Sequence, residues 1–261
     1  MKLKDIFSPS FKDYQQSIGP MVVVEYDAEL CQEVVSNGWL SEEQMRHAAE
    51  RYRLGKSKSG KTIYWMIDEM GVVRDGHLAD SWVSSILKAR EPKLLQSWHP
   101  SHCFFGQHLL CHTEITDTTD LNSCHLCNSL FESVALRTCS TKKGSVGSVR
   151  SVCDNKPICV VEAERSAVIL SELFPESIWL AYVYPANLTV DLFASLQGRS
   201  VTIYPQTDPC MDIYLSFLDL VDSVRRCYPS IDIFVDRILE DNATDEQKQR
   251  MIDLVDFLFE Q

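Results

Sequence analysis

No apolar stretch in this 261-residue chain approaches the roughly 20 residues needed to cross a bilayer. The opening Met1-Lys-Leu-Lys-Asp-Ile-Phe7 lacks the apolar core and cleavage site of an export signal, so the expected compartment is the cytoplasm. Without export, the ten cysteines are expected as reduced thiols, and they are too sparse for a disulfide scaffold. Several (Cys103, Cys159, Cys227) sit in apolar context, where cysteine behaves as a small hydrophobe. An excess of positive charge is also missing. The net charge is −12, and it is unevenly placed. Residues 157–261 hold 7 Lys/Arg against 18 Asp/Glu, net −11, whereas residues 1–156 hold 18 against 19, net −1. A strongly acidic half repels phosphate backbones unless cations or a basic neighbour compensate, so nucleic-acid contacts are expected mainly from the N-terminal half. No internal repeat is visible.

What is present is ordinary for a globular chain: 45% hydrophobic and 24% charged residues. Three parts follow one another. Residues 1–110 read as a smaller α+β subdomain. It opens with a helix over Phe11–Ile18 and an apolar stretch at Met21–Tyr26, then a helix begun by the capping box Ser41-Glu-Glu-Gln44. The β-forming run Thr62–Ile67, the turn Asp68-Glu-Met-Gly71 and the return strand Val72-Val-Arg74 predict a hairpin. Residues 111–156 are polar, rich in Ser and Thr, and too long for an ordinary connection, so they read as an insertion or linker.

Residues 157–261 alternate strand and helix. Strands are expected at Ile158–Val161, Trp179–Val183, Val201–Tyr204 and Ile231–Val235. Helices are expected at Ala163–Phe174, Asp191–Leu196, Met211–Cys227 and Thr244–Phe259. That order predicts an α/β fold, a mostly parallel sheet with flanking helices. In such a sheet, side chains just past the carboxyl ends of strands converge in one crevice. Glu162 follows the first strand and Asp208 lies four residues beyond Tyr204. Such a carboxylate pair suits Mg²⁺ or acid/base chemistry, although isolated surface acids give the same pattern.

Other clusters carry chemistry of their own. Arg51, Arg53, Lys56, Lys58 and Lys61 place five positive charges in eleven residues, beside Tyr52, Tyr64 and Trp65. Phosphate contacts and ring stacking in this mixture suit single-stranded DNA; a solvated hairpin tip over a core-facing Trp65 is the alternative. Cys124-His-Leu-Cys127 has zinc-knuckle spacing, with Cys111, His112 and Cys139 near in sequence. No second Cys-x-x-Cys follows, which favours incidental cysteines over Zn²⁺. His99, His102 and His108 surround Cys103, but no group that would orient a Cys/His nucleophile is legible, so they read as core or surface histidines.

Val160-Val-Glu-Ala-Glu-Arg-Ser166 resembles the first motif of Toprim domains, a glutamate leaving a hydrophobic strand. Gly198-Arg-Ser-Val-Thr-Ile-Tyr-Pro-Gln-Thr-Asp208 resembles the second, a strand ending in Asp-x-Asp. Upstream, Arg51–Gly55, Ile63–Asp68 with Gly71, and Cys103–Leu110 resemble segments of the bacterial replicative primase core. Together they resemble an uncharacterised primase-like Toprim family of bacterial mobile and conjugative elements, over most of the chain outside 111–155. The zinc ribbon often expected ahead of such cores is absent from this sequence. The resemblance implies Glu162 and Asp208 as catalytic carboxylates, with Glu162, Asp208 and position 206 at a Mg²⁺ site. It also implies nucleic acid or a replication or transfer protein as partner, and no membrane. Two positions depart from the pattern: Gln206 stands where the first acid belongs, and Met211 where a glycine often follows. The neutral amide removes a full negative charge from the expected metal site. The expectation is therefore a primase-like Toprim fold with weak or no catalysis; an active metal-dependent nucleotidyltransferase is the alternative.

Overall fold

The structure, a computed structural model, describes residues 24–78, 81–90, 100–111, 156–184 and 188–260. The expected helix over Phe11–Ile18, His99, His112, Cys124, Cys127 and Cys139 lie outside the described residues. In the N-terminal part, helix α1 (Glu29–Ser36) precedes α2 (Glu42–Tyr52). The capping box forms as its sequence predicts: Gln44 N–H donates to Ser41 Oγ at 3.2 Å, and Ser41 N–H to Gln44 Oε1 at 3.0 Å. Leu30, Cys31 and Val34 of α1, with Met45, Ala48, Ala49 and Tyr52 of α2, recur at helical spacing and are buried.

An antiparallel sheet follows, β1 (Gly55–Lys56), β2 (Thr62–Ile67), β3 (Val73–Leu78) and β4 (Ser81–Trp82), paired in sequence order. The predicted hairpin is its centre, with a return strand longer than expected. Asp68 makes the turn, its Oδ1 accepting Met70 and Val72 N–H groups, each at 2.9 Å. Arg74 then clamps Asp68 Oδ2 at 2.6 Å. Gly55 and Gly76 flank the Trp65 ring so closely that a Cβ would stand 2.6 Å and 2.8 Å from it. Helix α3 (Val83–Arg90) packs on this sheet.

The C-terminal part is an α/β unit. Strands β5 (Ile158–Val161), β6 (Ile178–Ala181), β7 (Ser200–Ile203) and β8 (Asp232–Val235) are all parallel, in the order β6-β5-β7-β8. Cys159, Val161, Trp179 and Ala181 face one side, in a core with α4 (Glu164–Leu173) and α2. Ile158, Val160, Leu180, Ile203 and Ile233 face the other, over a 3₁₀ segment (Val190–Leu196) and α5 (Asp212–Cys227). Burial on both faces is why these strands read as unbroken apolar runs. Phe105 exchanges backbone hydrogen bonds with Ala181 at 2.8 and 3.1 Å, adding an antiparallel partner beside β6.

Two helical expectations change. The segment Asp191–Leu196 winds as the 3₁₀ turn just named. The single helix expected over Thr244–Phe259 is two, α7 (Asp245–Gln249) and α8 (Leu254–Phe259), after a short α6 (Ile238–Asn242). The break is written locally: Thr244 caps the first with Gln247, Met251 turns at φ +53°, and Asp253 caps the second with Asp256.

Candidate functional site

The order β6-β5-β7-β8 reverses direction between β5 and β7. At such a switch point the loops leaving the two strands part to opposite faces and open a crevice at their carboxyl ends. Glu162 leaves β5 and the segment Tyr204–Asp208 leaves β7, so the fold brings the sequence-predicted acids to adjacent strand ends.

Their individual environments differ. Glu162 is half-buried, with Tyr182 O–H donating to its Oε2 at a long 3.4 Å. Burial and then the Asp253 carboxylate push its pKa up, against the opposing Tyr182 hydrogen bond. Asp208 is buried, and backbone groups take both its oxygens: Cys210 and Asp212 N–H groups donate to Oδ1 at 2.9 and 3.1 Å, and Ile213 N–H to Oδ2 at 2.8 Å. Burial alone raises its pKa, but the Ile213, Cys210, Asp212 and Met211 N–H groups outweigh it and hold the carboxyl below the usual range. Asp208 thus ties down the start of α5, where otherwise unpaired N–H groups point. Met211 adopts the left-handed conformation that favours glycine, φ +61°.

These residues fit Mg²⁺ poorly. A Mg²⁺ site needs one or two free carboxylates in near-octahedral geometry. Here Gln206 is neutral, Asp208 is committed to backbone, and Glu162 is half-buried with its pKa raised by burial. Ligand atoms of Asp208, Cys210 and Asp212 lie within 4.8 Å of one another, but a thiol is a soft donor that does not suit Mg²⁺.

The basic segment is largely engaged. Lys56 pairs with Asp27 and Lys61 with Glu29, each at 2.5 Å. Arg51 donates to the Ser171 carbonyl at 3.0 Å, and Arg53 and Lys58 also have partners. Trp65 is corrected: at 3% exposure between two glycines it is a core residue and offers no face to a base. His108 is buried on the Arg51 carbonyl, as a core histidine. Burial pushes the Cys103 thiol up, which disarms it as a nucleophile.

Sequence reasoning missed a second constellation. His77 on β3 meets Glu164, the first residue of α4, with Nδ1 2.6 Å from Oε1, and its Nε2 lies 3.1 Å from the Tyr184 hydroxyl. Trp82 lies against His77, and His102 against Trp82. These residues are separated by up to 107 positions, and no local spacing links them. The signal that was available is the second acid of Val160-Val-Glu-Ala-Glu164, read only as part of a motif.

Residues 29–121 and 147–207 match the family described as "Domain of unknown function (DUF6371)". The match covers more than half of the chain, which belongs to that family. It takes in the hairpin, Glu162 and Gln206 and stops one residue before Asp208. No curated protein and no solved structure matches the chain.

Proposed function

We propose that this member of a family without an assigned activity is a degenerate primase-like Toprim protein of a mobile genetic element. It keeps the fold as a binding module for single-stranded nucleic acid or for a replication or transfer protein, and performs no catalysis of its own. The observation that carries this reading is the state of Asp208. A carboxylate whose two oxygens accept three backbone N–H groups serves as a structural cap, and Gln206 beside it brings no charge. The parallel sheet with a glutamate leaving its central strand supports the Toprim-like half of the proposal. The engaged lysines and the net charge of −12 favour a protein partner over a bare phosphate backbone.

The alternative, an active metal-dependent DNA primase or related nucleotidyltransferase, draws on Glu162 and on the Asp208–Cys210–Asp212 cluster. Primer synthesis on a single-stranded template with Mg²⁺ or Mn²⁺ separates the two. The proposal expects no product from the wild-type chain. Product from the wild type that Glu162→Gln abolishes would overturn it.

A further inference from the structure

We propose that the rings of Tyr184, Trp82 and His77, with the Glu164 carboxylate behind them, receive a guanidinium presented by a basic segment of a protein partner. The inference rests on the non-catalytic reading only for the kind of partner, a replication or transfer protein.

The rings come from three places: His77 from β3, Trp82 from β4, and Tyr184 from the loop leaving β6. His77 stands 5.3 Å from Trp82 and 5.5 Å from Tyr184, and Trp82 6.4 Å from Tyr184. All three pairs are tilted or edge-on, unlike the face-to-face Tyr52–Phe105 pair in the core at 5.0 Å and 16°. Tyr184 is 39% exposed, so part of this aromatic surface meets water.

The platform is fixed in advance. Val183 takes a left-handed conformation, φ +69°, rare for a β-branched residue. Its N–H donates to the Glu162 carbonyl and Tyr184 N–H to the Tyr182 carbonyl, each at 2.9 Å. Strain of this kind persists where the surroundings over-determine it, and it aims Tyr184 at His77. The hydroxyl and Glu164 then hold the imidazole from both nitrogens.

Charge selects the ligand. Glu164 is 6% exposed, and only its Oε1 is engaged, by His77; the described residues offer its second oxygen no hydrogen bond. A carboxylate oxygen left to solvent beside the rings, with acceptor capacity to spare, favours a cationic donor. Near the adjoining Cys103, the described residues bring the carboxylates of Asp68, Glu69 and Asp75, with Arg74 paired to Asp68. A phosphate is repelled there and a cation is attracted. Within this fold, arginines repeatedly settle on a ring beside a carboxylate. Arg165 lies 5.5 Å over Trp39 while pairing with Asp256 at 2.8 Å, and Arg237 lies 5.5 Å over Tyr214 while pairing with Asp241 at 3.0 Å. The mouth at Tyr184 and Trp82 offers the same ring-and-carboxylate chemistry to an arginine from outside, and a planar guanidinium suits it better than an ammonium.

The test is an NMR titration of the full chain, following the Trp82 indole and Tyr184 ring signals. The probes are blocked Gly-Arg-Gly, blocked Gly-Lys-Gly, free arginine and a dT oligonucleotide. Gly-Arg-Gly is expected to shift both rings saturably, and more tightly than the lysine peptide or free arginine, whose own carboxylate is repelled by Glu164. Tyr184→Leu, at a partly exposed position, is expected to weaken that binding roughly 2- to 30-fold with the Trp39 and Trp65 signals unmoved. Glu164→Gln should weaken it as well. Absence of a saturable shift at Trp82, equal binding by Tyr184→Leu, or a response to the oligonucleotide in place of the peptide would overturn the proposal. Primer synthesis by the wild-type chain would remove the non-catalytic reading without altering this titration, so the two failures are distinguishable.

Discussion

Asp208 and Glu162 occupy neighbouring strand ends and do different physical work. Asp208 accepts the N–H groups of Cys210, Asp212 and Ile213, so its removal is expected to act on stability. Asp208→Ala should cost about 1–2 kcal/mol in urea unfolding, as loss of a helix cap does. Asp208→Asn should cost a comparable amount, because its one amide oxygen still accepts while its NH2 faces a backbone donor; an unchanged unfolding curve for either would contradict the capping role. Glu162 carries the opposite sign. Burial raises its pKa in the folded chain, so the native state holds the proton more tightly than the unfolded state. Its contribution to stability therefore falls as pH rises from the ordinary glutamate value, about 4.3, through the raised folded value. Glu162→Gln is expected to be more stable than the wild type at pH 7, with the difference closing as pH falls below the ordinary value. Thermal melts across that range check it, and a variant less stable at pH 7 would contradict it.

At the scale of elements, patterns with a local cause were legible and those set by distant contacts were not. Ser41-Glu-Glu-Gln44 predicts its helix because the box satisfies its donors within four residues. Ile158–Val161 reads as a doubly buried strand because both its faces meet helices. The placement of Glu162 and position 208 beyond adjacent parallel strands was legible from strand ends; the use of Asp208 as a cap was not, because it depends on the turn into α5. The division of the last helix was legible too: Asp253, three residues before Asp256, is a second cap within the run first read as one element. Trp65 was misplaced for a different reason. Alternation along β2 allows the ring to face either side, and only the glycines at 55 and 76, one from each neighbouring strand, decide it. Gly76→Ala puts a Cβ 2.8 Å from the indole and 2.9 Å from Val83 Cγ2, and should lower stability by about 1–3 kcal/mol. An unfolding curve within a few tenths of the wild type would show that Trp65 has room to move.

For the whole molecule, the division at residue 110 describes chain order better than packing. Leu30, Met45 and Tyr52 share one core with Val161, Ala167 and Trp179, and Tyr52 O–H donates to the Trp179 carbonyl at 2.8 Å across that boundary. The antiparallel and parallel sheets meet again where His77 reaches Glu164, so the proposed partner site exists only when both halves are in place. No helix of the described residues is long and apolar enough to cross a membrane. A net charge of −12 attracts cations generally, and what distinguishes a crevice without a metal site is the absence of saturable binding at one place. The central claim is that Gln206 and a capped Asp208 leave the crevice between β5 and β7 without a working metal site. Calorimetric titration of Mg²⁺, then Mn²⁺, into the wild-type chain and Gln206→Asp tests it most directly. The account predicts no saturable heat for the wild type and a saturable signal gained by Gln206→Asp. Stoichiometric binding to the wild type that both Glu162→Gln and Asp208→Asn abolish would contradict it.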